Sequence, residues 1–305
     1  MSYTTTDLIA NVKRRATMAN ASAATFTDAD ILMLATDALQ AEVTPIVMRY
    51  MEEYSVATID YDISGQKAVY RFPSRSVGAK LRDVKWVDIN GREWFLARLE
   101  PDLPENQQLE RATQPAGYII QSNSLQLYPL PMSTVGKLRI RYYIRPNKLV
   151  SVAATGVVEE VNGQVVTVGS APTTFTGART YDVIKSTSGF EHALVGAKPT
   201  VFTTVGPGSY EMTFDSGVDL SAVEVGDYVN LAEESCVPQL PADAHKFLYQ
   251  LTAAKVLELQ GDAQAVTISR DALNRLESNL PTMMAPRVDS AKLTIRPYMR
   301  DWLLV

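Results

Sequence analysis

The sequence predicts an α+β fold: helices at both ends, an antiparallel β region between them, an inserted all-β unit of small-barrel or sandwich type, and an extended C-terminal arm. Three observations carry that prediction. Apolar residues recur every three or four positions up to about residue 54 and again from residue 242. Between these stretches they alternate every second position, the period of a strand. Residues 152–235 add a charge unlike the rest of the chain, with eleven acids against three bases, while the remainder holds 23 acids and 26 bases. The chain therefore divides into N-terminal helices and β region over 1–151, an acidic β insert over 152–235, closing helices over 236–278 and an arm over 279–305.

The first helix is expected over Asp7 to Met18, where Leu8, Ile9, Val12 and Ala16 share one face and Lys13, Arg14 and Arg15 lie mostly on the other. A long helix begins at Asp28, because Thr27 can cap the backbone of Asp30, Asp30 can reach back, and Phe26 can staple onto Ile31. Its stripe of Leu32, Ala35, Leu39, Val43, Ile46 and Tyr50 should face a core. Pro45 removes one internal hydrogen bond and predicts a bend near Ala41, with the helix fading by Tyr54.

From Val56 the pattern turns to strands over Val56 to Tyr61, Ala68 to Phe72 and Leu81 to Val87. Asn90-Gly91 predicts a two-residue hairpin turn, and a second hairpin flanks Gln121 to Ser124. Lys137 to Ile144 alternates Leu138, Ile140, Tyr142 and Ile144 against Arg139, Arg141 and Tyr143, with Arg145 continuing the polar face. The acidic segment shows only short strand patterns. Ala242 to Glu258 regains a helical face through Phe247, Leu248, Leu251, Ala254, Val256 and Leu257, and Ala263 to Leu276 continues it. The last stretch combines Pro281, Pro286 and Pro297 with repeated bases and no sustained period, so it is expected to be extended.

Composition narrows the function classes. No run is read as reaching the roughly 20 apolar residues of a membrane span, and the N-terminal bases follow the apolar residues instead of preceding them, unlike a secretory signal. A single cysteine, Cys236, excludes an internal disulfide framework and multi-cysteine zinc sites. A net charge of −5 argues against a protein whose main task is wrapping nucleic acid. No cofactor or metal site and no catalytic residue is expected. His192 lies in the insert and His245 at a helix start, Cys236 and His245 match no known dyad spacing, and Asp28 and Asp30 are explained by capping. The fragment Val205 to Ser209 is glycine-rich but lacks a following helix, so it reads as a hairpin turn and not a phosphate loop.

Bases cluster in three places: Lys13 to Arg15, the strand face of Arg139, Arg141 and Arg145, and the arm. The first two read as solvated faces. The arm is different, because Leu293, Ile295, Tyr298, Trp302 and Leu303 are costly to leave in water beside Arg287, Lys292, Arg296 and Arg300. These nine residues are the expected docking set.

The short helix, the capped TFTDADILMLATDALQAEVTPIV helix, the β region, the closing QLPADAHKFLYQLTAAKVLELQGD segment and the arm together resemble the head-to-tail adaptor (connector) proteins of tailed bacteriophages. The resemblance is best over Thr6 to Tyr54 and Val237 to Val305; the large β insert departs from the smaller adaptors. It implies a non-enzymatic virion protein of the head–tail neck, assembled in the host cytoplasm, that forms a ring, usually dodecameric, beneath the portal. Its implied partners are the portal protein, neighbouring copies of itself and a downstream tail or neck protein. DNA would pass through without sequence-specific binding, and no membrane is involved. The competing reading is a carbohydrate- or ligand-binding module or tail enzyme whose cleft is formed by Tyr181, Phe190, Phe202, Tyr210 and Phe214. Aromatics in a small β unit more often form its core.

Overall fold

The computed structural model of the chain describes residues 3–16, 26–63, 69–100, 111–112, 114–132, 136–187 and 191–284. Helix α1 spans Thr5–Arg15. It starts two residues before Asp7 because Thr4 and Asp7 form a capping box, with Thr4 N donating to Asp7 Oδ2 at 3.0 Å. Helix α2 (Asp28–Ala38) starts where the sequence places it: Thr27 N donates to Asp30 Oδ2 at 2.8 Å, and Asp30 N donates to Thr27 Oγ1 at 3.2 Å.

The expected bend near Ala41 is instead a π-helical segment over Leu39–Val43, followed by α3 (Thr44–Tyr50). Pro45 cannot donate to the carbonyl four residues back and its ring crowds that turn. A wider turn relieves both problems, and Thr44 donates to Leu39 O through its backbone N and, at 2.6 Å, through Oγ1. The helical path ends at Tyr50, and Glu52–Ser55 forms a 3₁₀ turn.

By length and composition alone the run Asp28–Tyr50 is apolar enough to cross a membrane, contrary to the expectation that no stretch qualifies. Half of its most apolar window is buried in the protein. Ile31, Ala35, Leu39 and Val43 pack with Leu8 and Val12 of α1 and with Phe247, Leu248 and Leu257 of helix α4 (Ala242–Gln260) in one core. This is the core helix of a bundle.

Gly261, at φ +76°, ends α4 and lets the chain turn into α5 (Ala263–Met283), whose start is capped by Asp262 accepting from Ala265 N at 3.0 Å. Helix α5 runs past residue 276 and through position 281, so residues 279–283 are helical and not extended. Leu280 and Met284 are both buried in the bundle core. At ~1.5–3 kcal/mol each, their burial offsets the ~3 kcal/mol that an interior proline costs.

Two facing sheets build the β region. The first contains β1 (Val56–Asp62), β3 (Ser76–Val87), β4 (Glu93–Phe95) and β10 (Lys137–Ile144) in the order β1-β10-β3-β4. The second contains β2 (Val69–Arg71), β5 (Ala97–Arg98), β7 (Gly117–Gln121) and β8 (Ser124–Tyr128) in the order β2-β8-β7-β5. All pairings within them are antiparallel except β5 with β7, and a short parallel pair joins β6 (Arg111–Ala112) to β9 (Leu130–Pro131). Leu138, Ile140, Tyr142 and Ile144 are buried between the sheets with Trp86, Tyr118, Leu125 and Leu127, as the alternation predicts, but Tyr143, expected on the polar face, is buried as well, where the β3–β10 register shifts and its hydroxyl donates to Glu52 Oε2 at 3.0 Å.

The β3–β4 hairpin exists, but its loop is longer than the two-residue Asn90-Gly91 turn. Gly91 N donates to Asp88 O at 3.1 Å and Asp88 N to Arg92 O at 3.0 Å, giving three loop residues with Gly91 at φ +75°. The Asp88 carboxylate accepts from Asn90 N and Arg92 N at 2.8 Å each, which favours this longer turn.

Strand β11 (Lys148–Leu149) leads into the insert. The insert holds β12 (Gly156–Asn162), β13 (Val165–Gly169), β14 (Tyr181–Ile184), β15 (His192–Ala197), β16 (Val201–Gly206), β17 (Ser209–Thr213) and β18 (Tyr228–Leu231) in one sheet ordered β15-β14-β18-β12-β13-β17-β16. Phe202 on the β16 edge stacks 6.5 Å from Tyr181 on β14, so the sheet curls upon itself around its own core of Val158, Val168, Val183, Met212 and Val229. The chain leaves through β19 (Glu234–Ser235), which pairs in parallel with β11. Entry and exit thus form a two-stranded stem.

Candidate interaction surfaces

The most heavily bonded polar site joins the insert to its host. Asp182, fully buried on β14, accepts from Arg75 Nη1 at 2.8 Å, Asn147 Nδ2 at 2.7 Å, Gly196 N at 2.7 Å and Glu233 N at 3.0 Å. Arg75 Nη2 lies 2.8 Å from its second oxygen and also donates to Asn147 Oδ1. Gln239, at the entry to α4, accepts from Asn147 N at 2.6 Å and places Nε2 3.0 Å from His192 Nε2, with Arg75 Nη2 3.3 Å from the same nitrogen. Two donors converging on His192 Nε2 require it to be an acceptor, which is the neutral ring. Burial, first of all, pushes the His192 pKa down to about 4, with Arg75 adding to the fall and Asp182 opposing it. This cluster spans residues 75 to 239, and no local pattern in the sequence announces it.

The titratable candidates separate in space and chemistry. His245 stacks on Tyr3 with ring centroids 4.5 Å apart, and burial lowers its pKa. Cys236 is buried, and desolvation pushes its thiol up to about 11, so it is held protonated and is a poor nucleophile. Among the described residues no group of three His, Cys, Asp or Glu gathers in ligand geometry. The Val205–Ser209 fragment is the β16–β17 hairpin turn, with Gly208 at φ +73°. Tyr181, Tyr210 and Phe214 are core residues of the insert, and half-buried Phe202 packs against the first two; Phe190 lies outside the described residues.

Two of the three bases of the strand face, Arg139 and Arg141, are matched internally. Arg139 pairs with Asp60 on β1 at 2.8 Å and with Glu93 on β4, Lys85 reaches Glu93 at 2.6 Å, and Arg141 pairs with Asp83 at 3.3 Å. On α1, Lys13 bridges to Asp28 at 2.5 Å and Arg15 lies over the Tyr249 ring at 5.8 Å.

An apolar groove of about 550 Å³ opens between α1, the first turns of α2 and β11. Ile9, Leu32, Met33 and Leu149 line it, and Asp28 and Lys148 border it. Leu32 and Leu149 form a buried floor, while Met33 is 56% exposed. The expected docking residues from Arg287 to Leu303 all lie outside the described residues.

The family model described as SU10 adaptor protein matches residues 3–172, from α1 through the β region to the first hairpin of the insert. No curated protein matches the chain.

Proposed function

The chain belongs to the SU10 adaptor protein family, whose model covers more than half of it, and from that premise we propose that it forms a ring beneath the portal of a tailed phage. Membership makes it a phage adaptor with a structural role in the virion. In the proposed neck the ring joins the DNA-filled head to the tail and continues the DNA channel. The portal lies above it, copies of the same chain at its sides, most simply as a dodecamer, and a tail or neck protein below. Assembly takes place in the host cytoplasm. DNA passes without being read: the chain is acidic overall, and Arg139 and Arg141 are matched by carboxylates within their own sheet.

The carrying observation is the family match across both N-terminal helices and the β region. The bundle is consistent with it, because α1, α2, α4 and α5 bury a complete core in the single subunit. Such a subunit can exist alone and assemble on a template. The arm, with Trp302 as its largest apolar side chain, is the proposed docking element. The ligand-cleft reading is weakened because Tyr181, Tyr210 and Phe214 are spent on the core of the insert.

Light scattering of the purified protein, alone and with portal rings, tests the proposal. The expected result is a monomer or weak associate at micromolar concentration and a closed ring on the portal. A subunit that stays monomeric beside the portal overturns ring formation, and a stable ring without portal overturns the template dependence.

A further inference from the structure

The groove between α1, α2 and β11 is an apolar surface on a subunit whose bundle core is otherwise closed, and two features of the chain say what fits it. The first is charge. The α2 wall of the groove carries Asp28 and Asp30 and no base, with Lys148 on the opposite wall, whereas residues 285–305 carry four bases, Arg287, Lys292, Arg296 and Arg300, against two acids. The second is reach. Helix α5 ends with Met284 fixed in the core, leaving 21 residues beyond it; at ~3.3 Å per residue they extend up to ~70 Å. Helix α5 packs along α4, and α1 and α2 pack on α4 as well. A ring closed by head-to-tail contacts needs a donor element and an acceptor surface on every subunit, and the arm and the groove supply one of each.

We propose that the C-terminal arm of one subunit docks into the α1–α2–β11 groove of its neighbour, so that Leu293, Ile295, Trp302 and Leu303 supply apolar anchors over Ile9, Leu32, Met33 and Leu149. The arm's bases then face the acidic wall of α2. This rests on the ring reading above and names the surface that receives the arm. Among the described residues Asp28 is ion-paired with Lys13 at 2.5 Å, and at 60% exposure it is open to a second cation. The acidic wall steers the arm, and the apolar floor holds it.

The test is a photo-crosslinker, p-benzoylphenylalanine, placed at position 33 of the full chain, with rings assembled on the portal from a mixture of ¹⁴N and ¹⁵N subunits. The expected product is a crosslink from position 33 to a peptide within 285–305 of mixed isotopic origin. Crosslinks of single isotopic origin only show self-docking and overturn the proposal, as do crosslinks only to portal peptides or to no arm peptide. In parallel, Met33→Glu should lower ring occupancy about tenfold at limiting subunit concentration, Met33→Leu should restore it, and neither should shift the melting temperature of the free subunit. Unchanged occupancy with Met33→Glu overturns the groove while leaving the ring standing. Failure of the unmodified chain to form any ring overturns both together.

Discussion

Asp182 receives hydrogen bonds from four separate parts of the chain and has no exposed side-chain surface. Its partner Arg75 is only 10% exposed, so removing the carboxylate strands a nearly buried guanidinium. Breaking a buried pair from one side costs about 3–5 kcal/mol. Asp182→Ala should therefore lower the melting temperature by many degrees, while Arg139→Ala, which breaks a half-exposed surface pairing, should move it little. Equal shifts in thermal melts of the two variants would refute the buried role of Asp182. His192 adds a pH dependence with a defined sign. Its folded pKa of about 4 lies below the ordinary 6.5, so the unfolded chain takes up the proton first as pH falls. The stability it contributes is complete above pH 6.5 and is lost between pH 6.5 and 4, at a limiting slope of ~1.4 kcal/mol per unit. In denaturant titrations at pH 7 and pH 5, His192→Gln should lose less stability between the two than the unaltered chain.

At the scale of elements, two prolines end differently from what local rules dictate. Pro45 does not break its helix but forces a π turn, because Leu39, Val43 and Val47 around it are all buried and hold the helical path in place. The α5 helix persists through position 281 for the same reason, with Leu280 and Met284 fixed in the core. Residues 285–305 form the proposed docking arm, so substitutions there should act on assembly. A buried tryptophan at an interface is worth ~2 kcal/mol or more when truncated, whereas exposed bases mainly set association rate and salt dependence. Trp302→Ala should accordingly reduce the adaptor bound to heads, quantified on purified particles, more than Arg300→Ala does, with the monomer's melting temperature nearly unchanged. A loss of monomer stability, or a larger effect from Arg300→Ala, would show that the arm acts in some other way.

At the scale of the whole molecule the β11–β19 stem makes the insert removable in principle. Lys148 pairs with Glu234 and Leu149 with Ser235, so a few residues suffice to close the gap. The insert also owns a core separate from those of the bundle and the two-sheet region. Replacing residues 153–232 with a short Gly/Ser linker should preserve helical circular dichroism and a cooperative melt. Excision releases Arg75 and Asn147 to water, so it should cost less stability than Asp182→Ala, which leaves Arg75 buried and unpaired. Collapse of both signals would show that insert and host fold as one unit.

Several local signals determined the structure by themselves. The Thr27–Asp30 capping box, the buried alternation of Leu138 to Tyr142, the apolar face of Ala242 to Leu257 and the Gly208 hairpin follow from propensity and periodicity over a few residues. The adaptor resemblance was legible in the same way, from the order of helices, strands and arm. Tertiary packing decided what the prolines do, because burial of neighbouring side chains outweighs a single lost hydrogen bond. It alone decided that Arg75, Asn147, Asp182, His192 and Gln239 meet, since hydrogen bonding between residues up to 117 positions apart leaves no trace in local periodicity. The groove under Met33 is likewise a property of three packed elements: Met33 lies off the predicted core stripe of α2, and only the placement of α1 and β11 turns it into a wall.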